Sequence, residues 1–282
     1  MLDGLKLALG TLTVLPAPMP SKVDRRIAGR AMVFAPGIGL LLGGFAALVV
    51  AGVQALKPEA DLLAAVLGVL VLVVLSGALH LDGLADFADA LGSRRDRETM
   101  LRIMKQSDIG PFGVVAIVTV LLIDVAALTT CITAGFGWQS ILIATTASRL
   151  TLPWSCRTTI PTARPDGLGA LVASTVPLRA AALTTITTLA ATLLLTWLTT
   201  PSTNHPASST TPPTPLATPT TALASAPTTL IATTAAVLIA VATALAVTHR
   251  ARKTLNGITG DVLGATVELA LPTTLLTLAL TT

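Results

Sequence analysis

Seven apolar runs, most of them near the length needed to cross a bilayer, constrain this chain more than any other feature. They fall at 34–56, 62–79, 113–133, 141–154, 178–198 and 230–247, with a last one from 261 to the C-terminus. A membrane helix needs roughly 20 apolar residues, and a soluble domain has no use for so many such runs. The balance of residue types agrees. Only 11% of the chain is charged and 52% is hydrophobic, whereas a soluble domain carries about 25% charged residues. The expected fold is all-α, a polytopic membrane helix bundle of about seven transmembrane helices, forming one integral domain over residues 1–282.

The segments between the runs set the topology. Residues 1–15 form an apolar stretch ending at Pro16, Pro18 and Pro20, too short to span, and read as an interfacial helix. Lys22, Arg25, Arg26 and Arg30 precede the first full run, an arginine-rich loop follows the second, Arg157 and Arg164 follow the fourth, and Arg250, Arg252 and Lys253 follow the sixth. All of these loops fall on one side, which the positive-inside rule makes the cytoplasm, and Lys57 is left alone in an outward loop. The formal charge of +4 is thus topological rather than a sign of nucleic-acid binding, since basic residues are scattered and aromatics scarce. Residues 200–227 are mostly Thr, Pro, Ser and Ala, with His205 the one titratable group. They read as a flexible extracytoplasmic loop. Gly37, Gly39, Gly43 and Gly44 supply spacings that favour close helix packing. Cys131 and Cys156 have no metal-ligand spacing and read as structural.

Chemistry concentrates between Gly77 and Gly113. Asp82, Asp86 and Asp89 fall at i, i+4 and i+7, which on a helix places all three carboxylates along one face. Two carboxylates about 6 Å apart repel by roughly 2 to 3 kcal/mol at an effective dielectric near 20, so the row calls for a cation or protons. Oxygen-only donors favour a hard divalent ion such as Mg²⁺. A basic stretch follows at once, with Arg94, Arg95, Arg97, Arg102 and Lys105. Acid that can hold metal beside base that can hold phosphate suits phosphoryl transfer. Ser93 with Asp96 three residues later reads as the start of a surface helix through Lys105. Further along, Asp124, Arg149 and Glu268 lie within apolar runs, where an ionisable residue either serves function or is paired by a neighbouring helix. Asp261 stands between glycines at the mouth of the last run.

Several motifs occur in order that resemble the cobalamin synthase (adenosylcobinamide-GDP ribazoletransferase) family: HLDGLADFADALG, MKQSDIGPFG, ARPDGLG and NGITGDVLGATVELA, with LTVLPAP and FAPGIGLLLG near the start. The resemblance covers most of the chain outside the Thr/Pro-rich region. It implies a Mg²⁺-dependent membrane enzyme, and the basic loops put its active site on the cytoplasmic side of the inner cell membrane. That enzyme would join adenosylcobinamide-GDP to α-ribazole or its 5′-phosphate and release GMP. On this reading Asp82, Asp86, Asp89 and Asp261 are the metal ligands, and His80 or Asp89 is the base. Lys105, Ser107, Arg149, Arg157, Arg164 and Asn256 are the candidate substrate contacts. Where many relatives read Lys-Asp-Ser-Arg, this chain has Lys105, Gln106, Ser107 and Asp108, and Asn256 stands where a glycine is usual. The expected partners are the two small molecules and the lipid bilayer, with a homo-oligomer left open.

Two other readings compete. A secondary transporter would use Asp124, Arg149 and Glu268 as an ion path, and its expected sign, inverted repeats, is not found. A CDP-alcohol type phosphotransferase shares the spaced aspartates, but its DGxxAR pattern fails because Asp86 follows Ala85.

Overall fold

The computed structural model describes residues 2–18, 20, 22–199 and 226–281. The flexible loop expected at 200–227 falls almost wholly outside the described residues. Within them the chain is helical and has no strands, only two isolated bridges, Arg157 with Val176 and Thr162 with Ile258. Five helices are long and apolar enough to cross a membrane: α2 (Arg25–Leu56), α6 (Pro111–Thr133), α10 (Leu178–Thr199), α11 (Ala226–Leu255) and α12 (Gly260–Thr281). Their outer faces carry Leu48, Leu122, Ile186 and Trp197 exposed, as lipid-facing residues should be, because lipid tails are as apolar as leucine. α12 is the central helix: 72% of its most apolar window is buried, against 28% for α6 and α10. It packs on α4, α6, α7 and α11.

The remaining runs do not form simple spans. The second is split into α3 (Asp61–Leu75) and α4 (Leu79–Gly92), bent by 87° at the break. Gly77 and Ala78 at that corner have φ of 60° and 56°, a left-handed conformation that glycine adopts freely and alanine does not. The backbone N–H of Val14 bonds the Leu75 carbonyl at 2.8 Å, so the segment after α1 (Leu2–Leu12) closes the end of α3. The fourth run divides into α7 (Gly137–Arg149) and the one-turn α8 (Thr151–Ser155). Nearly every residue of α7 is buried. At 13 residues it is the length of a core helix rather than of a lipid-facing span.

The connections are short helices and paired loops. α1 lies on α2, with Gly4 against the stem of Arg30. α5 (Arg97–Ile103) starts from Asp96, whose carboxylate accepts from the Thr99 N–H at 3.0 Å. Ser93, expected at that start, instead closes α4. α9 (Gly167–Val172) begins at Asp166. Of the four packing glycines in α2, Gly39 and Gly43 press on α7, while nothing lies within 4 Å of where a side chain would begin at Gly37 and Gly44.

Candidate active site

The site begins where α4 crosses α12 without side chains between them. A Cβ on Gly83 would lie 2.8 Å from the Asp261 carbonyl oxygen, and one on Gly264 would lie 3.0 Å from the His80 carbonyl oxygen. Only hydrogens fit at these points. Asp82 on α4 and Asp261 in the first turn of α12 therefore flank one backbone contact, and both line a cavity of about 250 Å³. Asp86 lies one turn along α4, where the charges of Asp82, Asp261 and Asp89 act on it and that of Arg164 opposes them.

Two loops paired by their backbones bring Arg164 there. The Ala163 N–H bonds the Ile258 carbonyl at 2.9 Å, and the Ile258 N–H bonds the Pro161 carbonyl at 3.0 Å. This pairing sets Arg164 Nη1 3.7 Å from Asp261 Oδ2. Arg164 Nη2 also donates to the Leu101 carbonyl at 2.8 Å. Arg97 bonds both loops, from Nε to the Leu255 carbonyl at 2.8 Å and from Nη2 to the Ala163 carbonyl at 2.6 Å. One of the basic residues expected to meet phosphate is thus spent on holding the site together. Thr259, unnoticed in the sequence, donates from Oγ1 to Asp261 Oδ2 at 3.1 Å and accepts from the Val262 N–H at 3.3 Å. Its place one residue before a Gly-Asp helix start is the signal that could have found it.

At the rim, Lys105 Nζ lies 3.0 Å from Asp166 Oδ2. The hydrogen bond from Lys105, and then its charge, hold the Asp166 carboxyl below the usual carboxylate range. Asp166 lines the cavity, so Lys105 stands at its edge. Ser107 is exposed and bonds weakly to its neighbour Asp108, at 3.4 Å.

The other expected residues lie elsewhere. Asp89 is buried, with Oδ2 accepting from the Gly110 N–H at 2.7 Å and Oδ1 from the Gly113 N–H at 2.9 Å. Both oxygens cap α6, whose own N-cap Gly110 has no side chain, so this carboxylate serves as a helix cap. Arg157 is outside the cavity lining. Its Nε donates to the Trp154 carbonyl at 3.0 Å and its guanidinium stacks 5.0 Å over the Trp154 ring. Asn256, with φ of 60°, is the left-handed residue that ends α11, a role asparagine shares with glycine. Arg149 is 1% exposed and does not line the cavity. It donates from Nη1 to Ser148 Oγ at 2.9 Å and feels the charges of Glu268 and Asp124.

These three buried charges join α7, α12 and α6 behind the cavity. Neither Asp124 oxygen has a hydrogen-bond partner among the described residues. Glu268 Oε1 also lies 3.9 Å from His80 Nδ1. His80 lines the cavity from this buried side, and both its ring nitrogens are without a hydrogen bond. No three His, Cys, Asp or Glu side chains among the described residues are gathered so as to hold an ion by themselves. The carboxylates still available to share one are Asp82, Asp86 and Asp261.

Two measurements separate these roles. As a cap, Asp89→Ala is expected to cost about 2 kcal/mol, lowering the thermal unfolding midpoint in detergent, while turnover per folded molecule persists. A catalytic Asp89 would give the opposite pattern. Arg149→Met leaves two buried acids without their cation and is expected to destabilise by about 3 to 5 kcal/mol. Adding Glu268→Gln should restore part of that loss, and an additive double variant would show that the two residues do not interact.

A model of the family described as cobalamin-5-phosphate synthase matches residues 4–279. A protein of Nocardioides sp. named adenosylcobinamide-GDP ribazoletransferase is 34% identical over 98% of both chains. One of the same name from Frankia casuarinae is 48% identical over 62% of this chain and 66% of its own length. Another, from Pseudomonas paraeruginosa, is 41% identical over 63% of this chain and 71% of its own. No solved structure matches. With a whole-chain match, a full-length relative and three of the four motifs lining one cavity, the chain belongs to the cobalamin-5-phosphate synthase family.

Proposed function

We propose that this chain is a Mg²⁺-dependent membrane transferase that joins adenosylcobinamide-GDP to α-ribazole, or to its 5′-phosphate, with release of GMP. The observation that carries the reading is the meeting of Asp82 and Asp261 across the α4–α12 contact, with Arg164 3.7 Å from Asp261. The names of the relatives supply the substrates.

The donor set suits a hard ion. Asp82, Asp86 and Asp261 offer oxygen only, crowded like charges that a cation relieves, and they stop short of a closed cage. Mg²⁺ is typically held in this way, by one or two carboxylates together with substrate phosphates. When bound, such an ion neutralises a diphosphate and stabilises a leaving phosphate. Arg164, and Lys105 at the rim, meet the phosphate oxygens. Leu12, Met32 and Leu152 line the same cavity and supply an apolar wall that excludes water from the charged side. Of the two residues expected to take the proton of the attacking hydroxyl, His80 lines the cavity and Asp89 spends both oxygens on α6. His80 is therefore the acceptor in this reading. Asp124, Arg149 and Glu268 act on one another by charge and none lines the cavity, which favours the transferase over an ion path.

The test is GMP release by the purified protein in liposomes with adenosylcobinamide-GDP, α-ribazole and Mg²⁺. Asp82→Asn and Asp261→Asn are each expected to lower turnover by about two orders of magnitude or more while the protein still inserts in the membrane. The double variant should be scarcely worse, because residues acting as one unit lose function non-additively. An active Asp82→Asn protein with unchanged Mg²⁺ dependence overturns the reading.

The same proposal places the cavity on the cytoplasmic side of the inner membrane, supported by the basic loops at that end of the bundle. Cys131 and Cys156 are buried, so added cysteines report cleanly. Applied outside intact cells, a membrane-impermeant thiol reagent should label Glu59→Cys and spare Ser107→Cys. The reverse pattern inverts the topology.

A further inference from the structure

A second pair of cavities lies away from the active site, along α2 and α10. The first, of about 340 Å³, opens at the end of the bundle where α2 begins and is lined by Arg26, Arg30, Thr175 and Pro177, with Val33 and Phe34 at its base. The second, of about 480 Å³, starts at the same Val33 and Phe34. It continues between α2, α7 and α10 past Gly37 and Leu40 to Leu198. The two share a wall and form one groove, charged at its mouth and apolar along its length.

Neither part of the lining includes an acid. No ion pair among the described residues uses Arg26 or Arg30. Their neighbours are committed elsewhere: Asp24 accepts from the Ile27 N–H at 2.7 Å, and Arg25 bonds the Ala170 and Ala173 carbonyls. The stem of Arg30 rests on Gly4 of α1, which fixes where its guanidinium begins. Two uncompensated positive charges therefore stand at the water interface above a slot within the bilayer.

The slot contains threonines but is not polar. The hydroxyls of Thr146, Thr184 and Thr192 bond the carbonyls of Leu142, Ala180 and Thr188, four residues back, at 2.7, 2.7 and 3.0 Å. What remains for an occupant is mostly hydrocarbon. Along α10 the lining runs from Thr184 to Leu198, roughly 20 Å at 1.5 Å per residue, against about 15 Å for one leaflet of a bilayer core. An extended acyl chain fits that length.

We propose that this groove is a binding site for one anionic phospholipid, its phosphate between Arg26 and Arg30 and one acyl chain in the slot past Gly37. A zwitterionic lipid would bring an ammonium group to a mouth whose lining holds no acid to receive it. A free phosphate would leave the slot unused.

Native mass spectrometry of the detergent-solubilised full chain, with phosphatidylglycerol and phosphatidylcholine in competition, tests the proposal. One phosphatidylglycerol should be retained, preferred by roughly twenty- to thirtyfold on a contribution of about fivefold per arginine. Arg26→Gln with Arg30→Gln should bring the two lipids near parity. Gly37→Leu fills the slot, and because nothing lies within 4 Å of the position its side chain would start from, the helix tolerates it. This variant should lose the retained lipid altogether, while Gly44→Leu, equally open but outside the groove, should keep it. Retention by Gly37→Leu at the level of the unaltered protein overturns the proposal. An arginine variant that keeps the full preference does so as well. Complete displacement by soluble glycerol phosphate would mark a phosphate site that needs no acyl chain, and it too overturns the proposal.

Discussion

The site depends on how closely α4 and α12 approach. With Gly83 and Gly264 at the crossing, the two backbones touch, and the carboxylates on either side are held together by the packing itself. Such an arrangement is costly, because like charges held this close repel. The structure meets that cost where Arg164 reaches Asp261 from the loop side, while on the buried side the charge of Arg149 opposes those of Glu268 and Asp124. α12 carries an acid at each level, one for the cavity and one for the lock behind it.

The bend after α3 gives this arrangement its direction, 87° away from the line a straight second span would take. The turn at Gly77 and Ala78 lays α4 across the bundle instead and presses its glycine face on α12. The opposite end of α4 is secured by Asp89, which reaches across to the start of α6.

Much of this was legible in the sequence, for identifiable reasons. The apolar runs gave the all-helical bundle because in lipid every backbone group must be satisfied within the segment. The i, i+4 spacing placed Asp82 and Asp86 correctly, and the ordered motifs brought in Arg164 and Asp261. Where the geometry differs from the expected placements, one cause recurs. Asp89 caps a helix through donors 21 and 24 residues away, beyond any local capping pattern. Arg149 finds its acids on two other helices, and the sequence can say that a membrane arginine is paired or wet but not which. Arg157 and Asn256 sit in the right loops, yet one lies on tryptophan and the other makes a turn. Residues 141–154 resembled a short span because burial inside protein and burial in lipid select the same side chains.

The Asp89 cap has one more effect. A single carboxylate holds Gly110 and Gly113 to α4, so the segment between 93 and 109, which includes Lys105, leaves and returns at nearly the same point. Loop length costs little once the ends are fixed. Insertions in that segment that spare Arg97 and the Leu101 carbonyl, both of which hold the Arg164 loop, leave the spacing of Asp82, Asp86 and Asp261 unchanged.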